Sequence, residues 1–178
     1  AYPGEKRYAW REFVTYGGMP KVLSIESHEE KSQYLANLFS LIYIKDVIER
    51  NNLKTSETVL EELLNVVSSS IGSLTNPTRI ADTFQSVKKL KIKNETISRY
   101  LDFFVDAFVL NKALRYDIKG RSYLETPLKY YFSDVGLSNA KLNFRQQEEN
   151  HIMENILYNE LKARGFNVDV GVVPVRSK

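Results

Sequence analysis

Cysteine is absent from the 178 residues. Disulfides and thiolate metal sites are thereby excluded, and a reducing cytoplasm is the expected setting. His28 and His151 are the only histidines, and no serine is expected to have a histidine placed to activate it, so nucleophilic catalysis has no support. No apolar run approaches the roughly 20 residues of a membrane span. The opening AYPGEKRYAW also lacks the apolar core of a signal peptide. A soluble protein with no membrane partner is expected. The phosphate-cradling spacing Gly-x-x-x-x-Gly-Lys-Ser/Thr is missing as well, so YGGMP reads as a helix-ending turn and no nucleotide site is expected in this chain. Internal repeats and low-complexity segments are likewise missing.

What the chain does have is 43% hydrophobic and 26% charged residues, an ordinary composition for one globular domain of this size or two small ones. The formal net charge is only +3, yet it is unevenly spread. Between Lys21 and Asn65 stand 5 basic against 8 acidic residues, and between Arg79 and Lys129 stand 11 against 6. The middle of the chain is basic.

Punctuation residues divide the chain into short helices. A first helix carries Trp10 and Phe13 and stops at Gly17-Gly18, with Pro20 beyond. Ser27 and Glu30 form a capping box. They open a helix that carries Leu35, Leu38, Phe39 and Ile42 and runs to about Asn51. A third helix starts behind Ser56, carries Val59, Leu60, Leu63, Leu64 and Val67, and ends by Gly72. Asn76-Pro77 starts a fourth, with Asn as cap and Pro where its missing N–H costs nothing. After the link LKIKN, Asn94 is predicted to cap a fifth helix whose Ile97, Leu101, Phe104 and Phe108 share one face. The period then changes to two in NKALRYDIKGRSYL, a hairpin turning at Lys119-Gly120. The aromatics of KYYFSD read as its partner or a returning strand, buried on both sides, with Asp134 and Gly136 as the exit turn. A last helix is predicted from Glu148 to Arg164, with Ile152, Ile156, Leu157 and Leu161 inward and Gly165 as C-cap. The tail FNVDVGVVPVRSK begins a strand with no sheet to complete. Helix, short helix, tight link, longer helix and hairpin is the order of a winged helix-turn-helix.

Lys88, Lys89, Lys91 and Lys93 crowd the link, while Lys119, Arg121 and Lys129 fall on the hairpin and its return. Winged helices meet phosphates at both places, which fixes register without reading bases. Thr96, Ser98 and Arg99 open the fifth helix and are the residues able to touch bases. Against this, Glu95, Asp102 and Asp106 share the outer face with Arg99 and would repel a phosphate-lined groove. DNA contact and protein docking therefore both stand as readings. Lys45, Asp46, Glu49 and Arg50 are spaced for local ion pairs on a solvated face. His151 and Glu154 share a helix face near Glu148 and Glu149. No further ligand converges on them, so no metal site is expected.

Five stretches together resemble a family of bacterial and archaeal AAA-type ATP-binding proteins whose C-terminal half is a domain of unknown function. They are FVTYGGMPKVL, YIKDVIERN, TISRYLDFFVDAFVLNKALRYDIKG, LKYYFSDVGL and MENILYNELKARGFNVDVG. The resemblance implies an upstream P-loop ATPase that carries the ATP and magnesium, then a winged helix, then a restriction-endonuclease-like α/β fold. In that fold the family pattern places an acidic residue at Glu154, followed by an acidic strand motif that this chain does not reach.

The expected architecture is mainly α with a small β hairpin. Residues 1–54 form a helical segment after the parent's ATPase domain, 55–138 a winged helix, and 139–178 the start of an α/β nuclease-like unit. The expected function is that of a non-catalytic region contacting DNA without sequence preference, with a docking or oligomerisation module of the ATPase as the alternative. Expected partners are DNA, the chain's own ATPase domain, and a protein partner or second copy.

Overall fold

The computed structural model describes residues 3–145 and 149–172, apart from the side chains at 3, 41, 42, 125 and 126. Expectations for Ile42 and Glu148 fall outside the described residues. The molecule is mainly helical, with one small sheet.

Helix α1 (Pro3–Tyr16) stops where Gly17 turns to φ +77° and its N–H bonds Phe13 O at 2.8 Å. Met19 and a short 3-10 turn over Pro20–Ser24 lead to α2 (His28–Asn37), where Ser27 Oγ accepts the Glu30 N–H at 3.1 Å. The helix widens through a π-type stretch over Leu38–Ile44 and continues as α3 (Lys45–Arg50). Then come α4 (Glu57–Ser69), β1 (Leu74–Thr75), α5 (Pro77–Lys88) and α6 (Asn94–Asp106). Asn76 caps α5, its side chain accepting the Thr78 N–H at 2.9 Å. The cap position of α6 is Lys93, one residue before the expected one, and Asn94 Oδ1 accepts the Glu95 N–H instead.

Strands β2 (Leu110–Asp117) and β3 (Ser122–Phe132) form the hairpin, with a register irregularity between Ala113 and Arg115. The aromatic run Tyr130-Tyr131-Phe132 is the far end of β3 itself, and all three side chains are buried. The rest comprises α7 (Val135–Lys141), α8 (Glu149–Ala163) and β4 (Val170–Val172). The sheet order is β1-β3-β2-β4, antiparallel except for β4, which runs parallel to β2. The tail strand therefore completes the hairpin's own sheet, a pairing that no local signal announces.

One buried cluster runs from Tyr16 through Leu35, Leu60, Phe84, Phe104 and Phe132 to Ala140. Helix α4 contributes Leu60, Leu63, Leu64 and Val67, each at most 1% exposed. Full burial of such a side chain is worth about 1.5–3 kcal/mol. Phe108, expected inward, is 81% exposed. Helix α6 ends at Asp106 and Phe108 takes φ +57°, which turns its ring outward and gives the core place to Val109 and Leu110.

Two further expectations are corrected. Asp134 and Gly136 do not simply end a strand, because Asp134 caps α7, its Oδ1 accepting the Gly136 N–H at 2.8 Å. Residues 135–140 are all buried, and α7 packs against α1, α2, α4, α8 and β3. The inward face of α8 is built from Asn155 and Tyr158, whereas Leu157 (56%) and Leu161 (39%) are exposed. Asn155 faces inward because it completes the edge of β3, as its two bonds to Phe132 show.

Candidate functional site

Three places carry the side chains the sequence singled out. The first is the basic link and hairpin. Lys89, Lys91 and Lys93 are exposed along the link, where Lys89 adopts φ +57° and ends α5. Arg121 is exposed at the hairpin turn with φ +52°, and the Lys119 N–H bonds Asp117 Oδ1 at 2.9 Å. Arg99 is exposed on α6, whereas Thr96 and Ser98 are half-buried. Ser98 and Arg99 line one depression of about 510 Å³ with Glu95 and Asp102 of α6, Thr78 of α5 and its cap Asn76.

Two of the expected phosphate contacts are engaged elsewhere. Lys88 Nζ lies 2.9 Å from Glu62 Oε1 of α4. Lys129 points inward, its side chain 18% exposed and its Nζ 2.6 Å from Glu154 Oε1, because an ammonium so placed needs a counter-charge. The acidic face of α6 is also less acidic than its sequence, since Asp102 accepts from Lys112 Nζ of β2 at 3.0 Å.

The second place is Glu154 itself. Besides Lys129 it accepts the Tyr131 hydroxyl at 2.5 Å. Tyr131 stacks on Tyr158 with ring centroids 4.3 Å apart. Burial pushes the Glu154 carboxyl up. The hydrogen bonds from Lys129 and Tyr131 outweigh it, helped by the charges of Lys129 and His151, and hold the carboxyl below its usual value of 4.5. Tyr131 is pushed well above the phenol range, by burial first and by its bond to Glu154 second. His151 and Glu154 do share a face, both bordering Gly72. Among the described residues no group of three or more metal-ligating side chains forms. Because the folded state holds the Glu154 proton more weakly than the unfolded chain, the stability it contributes is present above pH 4.5 and is lost as pH falls through the lower folded value. Thermal melts between pH 3 and 7 should show the acid-side loss shallower in Glu154→Gln than in the parent; parallel curves would show that the carboxylate is not the titrating group.

The third place was not expected from the sequence. The stretches FVTYGGMP and YFSDVGL lock together. Asp134 Oδ2 accepts the Gly18 N–H at 2.7 Å, and Asn139 Nδ2 donates to Val14 O and Thr15 O at 2.9 and 2.8 Å. Burial raises the Asp134 carboxyl against the backbone N–H groups of Gly18, Gly136 and Leu137, which lower it. Beside this junction, α1 and α8 flank a groove of about 610 Å³, with Trp10 and Phe13 on one wall and Met153, Ile156 and Leu157 on the other. Asp134 is among its lining residues.

Nearby, His28 is exposed and engaged: its Nδ1 is 2.7 Å from the Tyr16 hydroxyl and its Nε2 3.4 Å from Ser32 Oγ. Ser32 Oγ is thus turned toward the His28 ring. At 3.4 Å the contact is well beyond the usual 2.7–2.8 Å of an O–H hydrogen bond, so Tyr16 is the partner that orients the ring. The ion pairs expected on α3 form, Lys45–Glu49 at 3.8 Å and Asp46–Arg50 at 2.8 Å, on exposed side chains. Such pairs contribute little to stability.

The fold is that of a mainly helical protein with one small mixed sheet, and its sequence has relatives. The model of a domain of unknown function (DUF8612) matches residues 7–148, and the chain belongs to that family. The chain is also similar to an uncharacterised protein of Haemophilus influenzae, 34% identical over 162 residues that make up 91% of the chain and 40% of that protein. A second uncharacterised protein, from Methanocaldococcus jannaschii, is 29% identical over 170 residues, 94% of the chain and 36% of that protein. The chain thus spans well under half the length of these relatives. No solved structure matches it. Among the described residues, no helix is long and apolar enough to cross a membrane.

Proposed function

We propose that the chain is a non-catalytic region of a longer AAA-type ATP-binding protein and that residues 55–138 are a winged helix contacting DNA through its phosphates. The observation that carries this reading is topological. The order α4, β1, α5, α6, β2, β3, with β3 between β1 and β2, supports a winged helix. Relatives more than twice as long leave room for an ATPase in the same polypeptide. Lys91, Lys93 and Arg121 are exposed at the link and the wing, the positions from which such a fold reaches phosphates.

The test is fluorescence anisotropy with two duplexes of unrelated sequence. Three phosphate contacts give a salt slope of about −2.7, so a fourfold rise in salt should weaken binding roughly 40-fold. Lys91→Ala, Lys93→Ala and Arg121→Ala should each flatten the slope by about one unit on both duplexes alike. Glu95→Gln should tighten binding by removing repulsion, and Asp102→Asn should too, because it also frees Lys112. No binding at low salt would remove the DNA reading. A second reading, a docking module that positions the ATPase, is favoured by the apolar groove between α1 and α8.

A further inference from the structure

We propose that the groove between α1 and α8 receives an amphipathic helix from the longer polypeptide, and that this helix presents one lysine or arginine to Asp134 from among apolar residues. The inference deepens the docking reading and rests on it; it is independent of DNA contact.

The walls call for an apolar occupant. Trp10 is 44% exposed, Phe13 39%, Met153 39% and Leu157 56%, and together they form a contiguous surface rather than scattered side chains. Helix α8 has already spent its other face, Asn155 and Tyr158, on the sheet, so the Leu157 face is a second contact surface on the same helix. The relatives carry more than half of their length outside the matched region, which is polypeptide enough to supply a covering helix.

The floor calls for a cation. Asp134 is half-buried and its two oxygens are held by the Gly18 and Gly136 N–H groups. Among the described residues it has no ion-pair partner, although half-buried charges are usually paired. With the Leu137 N–H as a third backbone donor, the carboxylate keeps one of its roughly four lone-pair directions for a further donor. The other charged groups of the lining do not answer it. Glu160 is tied to Arg164 at 2.6 Å, and Lys162 is exposed on the last turn of α8. An ammonium or guanidinium group entering between Trp10 and Phe13 would also meet aromatic faces, which attract cations.

Trp10 is the only tryptophan, so its emission reports on the groove without a label. The probes are a helical peptide of leucine and alanine, about 14 residues or four turns long, with one central arginine, and its glutamine and glutamate counterparts. A saturable shift is expected with the arginine peptide, at least about tenfold tighter than with glutamine and absent with glutamate. Leu157→Lys, at a position already exposed, should abolish it while leaving the melting temperature unchanged. Asp134→Asn keeps the cap on Gly136 but not the acceptor for Gly18, and should erase the preference for arginine while leaving the affinity of the glutamine peptide unchanged. No saturable shift with any peptide overturns groove docking, whereas equal binding of the arginine and glutamine peptides overturns only the basic anchor. Phenethylamine binding as tightly as the arginine peptide makes the groove a small-amine site and overturns the helix as its occupant.

Discussion

Gly136→Ala should lower the stability of the fold by about 3 kcal/mol or more, a fall in melting temperature of roughly 6–12 °C for a chain of this size. Inside a helix the same exchange normally stabilises by close to about 1 kcal/mol, because alanine is the better helix former, so the sign is the test. Here a Cβ would stand 2.0 Å from the Tyr16 carbonyl oxygen, a main-chain atom at the end of α1 that cannot swing aside. Moving it means parting α1 from α7, and that loses the Asn139 bonds to Val14 and Thr15 together with the Asp134 bond to Gly18. Gly4→Ala is the control, since its Cβ would meet nothing within 4 Å; it should be neutral or slightly stabilising. A Gly136→Ala protein that melts with the parent would show that α1 does not seat on α7 as described.

The contrast between Gly136 and the caps shows what kind of information the sequence carried. Ser27 and Asn76 announce their helices because a side-chain oxygen bonds an N–H two or three residues away, a relation confined to a few consecutive residues. The turn at Lys119-Gly120 and the stripe Leu60, Leu63, Leu64, Val67 are local in the same sense. Helix α7 was hidden because seven residues are too few for a hydrophobic period, and because its own Gly136, Ser138 and Asn139 look like loop. Its burial comes from five elements scattered along the chain. The cations of the candidate interface were legible as positions but not as partners. Lys88 finds Glu62 across 26 residues and Lys129 finds Glu154 across 25, so the returning strand looked like a phosphate contact when it is part of the interior. Trp10 was legible only as a residue of the first helix and Leu157 as an inward residue of the last, and only the packing of α1 beside α8 turns them into opposite walls of one groove.

Asn155 illustrates the same limit at the other end of the sheet, and its loss should be nearly as costly. Strand β1 pairs with β3 only at Leu128 and Lys129, so beyond that point the edge of β3 has no neighbouring strand. Asn155 takes that place. Its Oδ1 accepts the Phe132 N–H and its Nδ2 donates to the Phe132 carbonyl, both at 2.8 Å, from a side chain that is 0% exposed. Asn155→Leu keeps the approximate volume but removes both bonds. The Phe132 carbonyl retains Asn159 Nδ2 as a donor at 2.8 Å, whereas the N–H loses the Asn155 oxygen that accepts it. An orphaned buried donor costs about 1–3 kcal/mol, and the lost bonds add about 1 kcal/mol more, so a total of about 2–4 kcal/mol is expected in a denaturant titration. Asn150→Ala, on the exposed first turn of α8, should be within about 0.5 kcal/mol of the parent. Asn155→Asp separates hydrogen bonding from packing. Its carboxylate can accept from the N–H but has no proton for the carbonyl, so the folded state should hold the added proton more tightly than the unfolded chain. Stability of that variant should then fall as pH rises above about 4, the unfolded carboxyl value, over and above the parent's own profile. If Asn155→Leu instead proves as stable as Asn150→Ala, the asparagine is a passenger on α8 and the edge of β3 is closed by something else.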